Sequence, residues 1–182
     1  MATSSIKALI VEDSEDDAEL IVRLIKKSGY SLYHKRIDTS NQMEEALNNK
    51  EWDIIISDYK MPNFSGIKAL EILNQSGLDI PFILVSGAID EGTAVEAMRK
   101  GAADYIMKNN LPRLIPAIER EIKECKIRAN ERKMISDLKE SEEKFRSYVE
   151  NAPEGIFIAD EKGNYIDVND AACETTGYSK EE

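Results

Sequence analysis

The chain is poor in cysteine and histidine, and it has no long hydrophobic run. Its 182 residues include two cysteines and one histidine. Cys125 and Cys173 are too few for a disulfide framework and show no metal-ligand spacing, so we interpret them as reduced thiols. The longest apolar stretch, residues 80–85, is too short to cross a bilayer. The opening MATSSIK lacks the regions of a signal peptide, which predicts a cytoplasmic protein.

Basic residues are also fewer than acidic residues. The chain carries 24 lysines and arginines against 35 aspartates and glutamates, a formal net charge of −11. The first 125 residues and the remainder are both acidic, so neither part has the basic surface of a nucleic-acid-binding domain. The single histidine, His34, lacks the helical context of a phosphodonor histidine and is interpreted as a surface strand residue. Direct binding to nucleic acid is therefore not expected.

Five short apolar segments alternate with amphipathic helical patterns over the first 110 residues. The segments are Ile6–Val11, Tyr30–Ile37, Ile54–Ile56, Phe82–Val85 and Asp104–Met107. Near-continuous apolar runs of this length are typical of parallel strands covered on both faces. Five successive β–α units predict an α/β fold with a doubly wound, five-stranded parallel sheet.

Polar residues follow four of these strands. Glu12 and Asp13 follow the first, Asp58 ends the third, Ser86 ends the fourth, and Lys108 follows the fifth. Functional groups of doubly wound sheets gather at the carboxyl ends of the strands, so these five side chains should converge. A turn-capping role for Asp58 is the alternative, and Ser86 before a glycine could be only a turn residue.

This combination suits phosphoryl transfer to a carboxylate. A cluster of acids with hard oxygen ligands favours Mg²⁺, with Mn²⁺ as the alternative ion. The metal and Lys108 would neutralise charge on an incoming phosphoryl group, and Ser86 could donate a hydrogen bond to the product. An ionised aspartate is already a nucleophile, so no general base is required.

On these residues the sequence resembles the receiver domains of two-component response regulators, over about residues 5–122. The resemblance implies a flavodoxin-like sheet with strand order 2-1-3-4-5. It identifies Asp58 as the phosphoacceptor, followed by Met61-Pro62 and Gly66 in the loop beyond. It assigns the metal to Glu12, Asp13, Asp58 and the backbone carbonyl of Lys60. It identifies Ser86 and Tyr105 as the switch residues, and Lys108 as the lysine of the family's phosphorylation site.

Three positions qualify the resemblance. Asn109 follows the lysine where the family usually has proline, often after a cis bond, so we expect a trans bond here. Lys60 and Ala88 lie two residues beyond the acceptor and the switch hydroxyl, where this family tunes the lifetime of the phosphoryl group.

From Leu111 onward the pattern predicts one helix of about 35 residues, with Pro112 in its first turn and an end near Asn151. An apolar stripe at 3–4 spacing continues through Ile135, Leu138, Phe145 and Val149, with a change of phase near Arg132. A helix of this length is longer than the preceding domain can cover, so part of the apolar stripe would be exposed to water. This predicts a parallel homodimer through the helix between about residues 115 and 149. Beyond it, ENAPEGIFIADEKGNYIDVNDAACETTGYSKEE resembles the start of a PAS sensory domain.

The predicted organisation is a receiver domain at residues 1–125, a linker helix capable of coiled-coil formation at residues 126–150, and the N-terminal part of an incomplete PAS domain at residues 151–182. The predicted function is that of a phosphoacceptor in a phosphorelay, controlling a PAS-linked output. It is not that of an enzyme, although phosphorylation from small donors and self-dephosphorylation are expected. The implied partner is a sensor histidine kinase or a phosphotransfer protein, with no membrane insertion. A receiver-like interaction module that works without phosphorylation is the alternative.

Overall fold

The computed structural model describes residues 5–49, 51–87 and 91–179, without the side chains of residues 91 and 93. Contacts divide the chain into two units, Met1–Ile127 and Arg128–Glu182. The first unit contains five parallel strands in the order β2-β1-β3-β4-β5. This is the predicted flavodoxin-like topology. No helix among the described residues is long and apolar enough to cross a membrane.

The strands of the first unit alternate with helices along the chain. The strands are β1 (Ser5–Val11), β2 (Ser31–Ile37), β3 (Ile54–Asp58), β4 (Phe82–Ser86) and β5 (Asp104–Met107). The helices are α1 (Glu15–Lys27), α2 (Ser40–Asn49), α3 (Gly66–Ser76), α4 (Glu91–Arg99) and α5 (Leu114–Glu150). A 3₁₀ helix, Lys108–Arg113, joins β5 to α5.

Side-chain alternation along the central strands divides the core into two layers. Ile54 and Ile56 of β3 pack with α1 and the start of α5, whereas Ile55 between them packs with α2, α3 and α4. β4 alternates in the same way, because successive side chains of a strand point to opposite faces of the sheet. Both faces are therefore buried, which explains why the central strands read as unbroken apolar runs.

α5 begins slightly later than the sequence indicated. Pro112 lies in the 3₁₀ helix, and Leu114 is the first residue of a 37-residue α-helix about 55 Å long. Pro116 falls in its first turn, where backbone N–H groups have no intrahelical acceptor and proline is tolerated. Leu114, Ala117 and Ile118 are buried against the sheet, so the helix start is well anchored.

Asp104 at the start of β5 ties the strand to α5. Its carboxylate is buried and pairs with Arg113 Nη2 at 3.1 Å and Arg120 Nη2 at 2.8 Å. Arg120 Nη2 also contacts Glu121 Oε1 at 2.7 Å, and Glu121 is buried. These charge-assisted contacts fix the first two turns of α5 to the strand that carries Tyr105.

The second unit contains the distal part of α5, an antiparallel pair β6 (Phe157–Ala159) and β7 (Tyr165–Val168), and helix α6 (Asp170–Thr176). Asn169 is fully buried at its centre. Its amide oxygen accepts from the N–H groups of Ile156 and Ala172. Its Nδ2 donates to the carbonyls of Val149 and Glu154, and so joins the end of α5 to the hairpin.

Candidate functional site

The predicted site residues lie at one edge of the sheet because their strands are parallel. Asp58 is the last residue of β3 and pairs in register with Val85, the residue before Ser86. Ser86 in turn pairs with Met107, the residue before Lys108. The ladder extends past β1 through Glu12, whose N–H donates to the carbonyl of Ile37 at 2.9 Å. All four positions are set by backbone hydrogen bonds of the sheet.

Three carboxylates meet at this edge. Glu12, Asp13 and Asp58 each offer one oxygen, and these oxygens lie within 4.8 Å of one another. Glu12 and Asp58 are buried, whereas Asp13 is exposed. An all-carboxylate set of this compactness fits a small hard cation such as Mg²⁺, which keeps several waters and takes few protein ligands.

Lys108 supplies the positive charge of the site. Its Nζ lies 3.0 Å from Asp58 Oδ1, 3.1 Å from Glu12 Oε2 and 2.5 Å from Asp17 Oδ2. The contact with Asp17 was not predicted, because an acid in the first turn of a helix is expected only to interact with the helix dipole. Asp17 lies three residues after Ser14, which caps α1. This position in the first turn is the signal that could have indicated a side chain facing the strand ends.

The electrostatics of the site follow from burial and from these ion pairs. Burial raises the pKa of Glu12 above its usual value, although the N–H of Ser14 and the ammonium of Lys108 both act to lower it. Burial alone would lower the pKa of Lys108, but its hydrogen bonds to Asp17, Asp58 and Glu12 outweigh this effect and raise it. Lys108 is therefore charged at any physiological pH.

The backbone around Asp58 is held from several directions. Ser57 Oγ donates to the carbonyl of Asp58 at 2.9 Å, and the N–H of Lys60 donates to Asp58 Oδ2 at 3.2 Å. Gly66 packs so closely that a Cβ built there would lie 2.5 Å from the carbonyl oxygen of Asp58. The loop between β3 and α3 therefore requires glycine at this position.

Arg36 stabilises the loop that carries the other two acids. Its Nη1 donates to the carbonyls of Glu12 at 3.0 Å and of Asp13 at 3.2 Å. Arg36 is the last residue but one of β2, and nothing in its sequence context indicated this contact. It adds a second cation beside the acidic edge without contacting Asp58 in the hydrogen bonds described.

A cleft of about 830 Å³ opens beside Asp58, and its walls include Lys60, Ser86, Gly87 and Lys108. The predicted switch hydroxyl and the predicted lysine thus border the same space as the predicted acceptor. Ser86 is buried, and Tyr105 is half-buried against the core layer formed with α2, α3 and α4. Ala88 lies outside the described residues. No cis peptide bond occurs among the residues described, and the bond before Asn109 is trans as expected.

Comparisons with known proteins agree with this fold. Residues 8–119 match the response regulator receiver domain family, and residues 143–182 match a PAS domain family. The first match covers more than half of the 182 residues, so the chain belongs to the response regulator receiver family. This membership supports a phosphoacceptor role in two-component signalling.

Two curated proteins and one solved structure illustrate the match. The chain is 28% identical over 114 residues to the DNA-binding transcriptional regulator NtrC of Proteus hauseri, covering 62% of this chain and 24% of that protein. It is 29% identical over 105 residues to the cell cycle transcriptional regulator CtrA of Caulobacter vibrioides, covering 56% and 43%. The signal receiver domain of a LuxO repressor protein from Vibrio parahaemolyticus superposes with a TM-score of 0.61 at 27% identity, covering 69% of this chain and 95% of that one. The chain thus spans less than half the length of these two curated relatives.

Proposed function

We propose that Asp58 accepts a phosphoryl group from a histidine kinase or a phosphotransfer protein, in a reaction that requires Mg²⁺, and that the resulting change controls a PAS-linked output. The observation that carries the proposal is the position of Lys108 Nζ, 3.0 Å from Asp58 Oδ1. A compact set of three carboxylates that includes Asp58 lies beside it. The receiver family generally interacts with such phosphodonors.

The chemistry is a transfer of one phosphoryl group. An oxygen of the Asp58 carboxylate forms a bond to phosphorus while the bond from phosphorus to the donor imidazole nitrogen breaks. The imidazole leaves with the electron pair of that bond and is protonated. Mg²⁺ held by Glu12, Asp13, Asp58 and the Lys60 carbonyl would neutralise charge on the phosphoryl oxygens. Lys108 attracts another of those oxygens, and Ser86 donates a hydrogen bond to the product.

In this proposal the chain is a phosphoacceptor and not an enzyme that turns over a separate substrate. It promotes its own phosphorylation from small donors and its own dephosphorylation, because positioning and electrostatics are the whole of the catalysis. The side chain of Lys60 and the residue Ala88 would then set the lifetime of the phosphoryl group. Lys60 borders the cleft beside Asp58, which supports its part in this role.

Phosphorylation can be tested by intact mass. Incubation with acetyl phosphate and Mg²⁺ should add about 80 Da, the mass of one phosphoryl group. Asp58→Asn should abolish the adduct, and so should a chelator with the wild type. An adduct that persists in Asp58→Asn would refute the assignment. No adduct in any sample would instead favour a receiver-like module that acts without phosphorylation.

The proposed switch uses Ser86 and Tyr105. The phosphoryl group on Asp58 would give the hydroxyl of Ser86 a new charged acceptor, so it would bias the position of the β4 end and of Tyr105. Ser86→Ala should therefore still take up the phosphoryl group but transmit little change. Identical shifts of the backbone amide resonances around Tyr105 in wild type and variant would contradict this role.

We also propose a homodimer through the distal part of α5. Five large apolar side chains on this segment are between 61% and 72% exposed: Met134, Ile135, Leu138, Phe145 and Tyr148. Burying each would contribute about 1.5–3 kcal/mol, which favours association with a second copy. Val149, which the sequence stripe included, is buried instead, because the carbonyl of Val149 is held by Asn169 within the second unit.

Sedimentation velocity tests the dimer. The double variant Leu138→Glu, Phe145→Glu should shift a dimeric wild type to a monomer at tens of micromolar, where weak dimers remain detectable. The matched control is Ala129→Glu, Ser136→Glu, which adds the same two charges about half a turn around the helix. Equal dissociation in the control, or a monomeric wild type, would show that α5 is a spacer.

A further inference from the structure

We propose that Asp17 is a positioning residue for Lys108, drawing its ammonium away from the oxygens that would bind a metal with a carboxylate that lies outside that set. This inference rests on the proposed phosphoacceptor function. Asp17 Oδ2 lies 2.5 Å from Lys108 Nζ, a shorter distance than those to Glu12 and Asp58.

The backbone of α1 fixes where Asp17 stands. Ser14 caps the helix and accepts a hydrogen bond from the N–H of Asp17 at 3.3 Å, so Asp17 lies in the first turn. Glu15 and Asp16 share this turn and its favourable interaction with the helix dipole, but both are exposed. Asp17 is half-buried and is the one of the three with a described contact to Lys108. A role limited to the helix dipole would not require that contact.

The other two partners of Lys108 have a second task. Glu12 and Asp58 belong to the three-carboxylate set, and an ammonium paired with both competes with a divalent cation for the same oxygens. Asp17 lies outside that set and gives Lys108 a separate anion. Without the Asp17 carboxylate, the ion pairs with Glu12 and Asp58 would remain of those described for Lys108. Metal binding at the acidic set would therefore weaken.

Asp17 has the opposite effect on phosphoryl uptake. Its carboxylate competes with phosphoryl oxygens for Lys108 and adds negative charge close to a dianionic donor. With saturating Mg²⁺, removal of that charge should accelerate phosphorylation of Asp58. Asp17 therefore favours the metal and restrains the transfer, and the two effects can be measured separately. A surface ion pair without a positioning role would produce neither effect.

The test compares Asp17→Asn with the control Asp16→Asn, which removes the same charge from the same helical turn. Isothermal titration calorimetry gives the Kd for Mg²⁺, and intact mass gives the initial rate of phosphorylation by acetyl phosphate at saturating Mg²⁺. Asp17→Asn should raise the Kd and the rate, each by about two- to fivefold, the range set by a partly exposed ion pair. Asp16→Asn should change both by less than about 1.5-fold at moderate salt, where exposed charges are screened. Asp17→Glu should restore part of the wild-type behaviour.

Each outcome decides the proposal. Equal values for the two asparagine variants would show that Asp17 is only a surface charge. A fall in both metal affinity and rate would indicate damage to the site and would also overturn it. If the wild type binds Mg²⁺ but takes up no phosphoryl group, the proposed function fails, whereas the comparison of Kd values still decides whether Asp17 positions Lys108. A wild type that binds no Mg²⁺ overturns both proposals.

Discussion

Replacing Gly66 with alanine should destabilise the first unit, although the usual effect of this substitution in a helix is the reverse. Gly66 is the first residue of α3, and exchanging glycine for alanine inside a helix normally stabilises a protein by about 1 kcal/mol. Here the new Cβ would lie 2.5 Å from the carbonyl oxygen of Asp58 and 3.1 Å from both Leu84 Cδ1 and Ser57 Oγ. The contacting oxygen belongs to the backbone of a buried strand, so it cannot rotate away.

Overpacking of this kind costs about 1–3 kcal/mol. A Cβ only 2.5 Å from a backbone oxygen falls at the upper end of this range, so after subtraction of the helix gain the free energy of unfolding should fall by about 2 kcal/mol. With a urea m-value of about 1–3 kcal/mol/M, the midpoint should decrease by roughly 0.7–2 M. The displaced Asp58 should also slow phosphorylation by acetyl phosphate, because reacting atoms must be positioned closely.

Gly87→Ala is the matched control for this experiment. Among the residues that the structure describes, a Cβ at Gly87 would meet Lys108 Cδ at an ordinary 3.9 Å, so the midpoint of this variant should stay close to that of the wild type. Urea unfolding followed by circular dichroism measures both variants. A Gly66→Ala protein as stable as the wild type, with an unchanged m-value, would refute the close approach between α3 and Asp58.

Three further predictions concern polar side chains that have several partners. Asn169→Ala should destabilise the β6–β7 hairpin by about 1–3 kcal/mol, because it leaves buried backbone groups without partners; unchanged hydrogen exchange in the hairpin would contradict this. Asp104→Asn should lower the free energy of unfolding by about 1–3 kcal/mol, because two arginines lose their shared anion; an unchanged urea midpoint would exclude it. The pKa of Lys108 is raised above its ordinary value of 10.5, so its ion pairs contribute fully to the free energy of unfolding below pH 10.5, and this contribution is lost only as the pH rises further. The Nζ resonance of Lys108 should therefore not titrate between pH 8 and 10.

The fold was predictable because its signals are local and repeated. The unbroken apolar runs of β3 and β4 reflect burial on both faces, and the residues that follow the strands must meet at one edge. The juxtaposition of Asp58 with Lys108 follows from the topology alone. No information about side-chain rotamers was needed for it.

Contacts that depend on side-chain direction were not predictable. Asp17 reaches Lys108 across 91 positions of sequence, and Arg36 reaches the carbonyl of Glu12 from a neighbouring strand. Both looked like ordinary surface charges in the sequence. Val149 was misjudged for a related reason, since its burial depends on Asn169, which is 20 residues away. Periodicity identifies the face of a helix but not what covers that face.

The two edge strands of the parallel sheet also restrict how this receiver can meet other proteins. β2, at one edge, carries His34, Lys35 and Arg36 in succession, and β5, at the other, is only four residues long. Charged or very short edges are the features by which natural sheets resist strand addition and aggregation. Association by extending the sheet is therefore disfavoured at both sides. The receiver is left to recognise its partners through helices and loops, where a change at the strand ends can alter the shape that is presented.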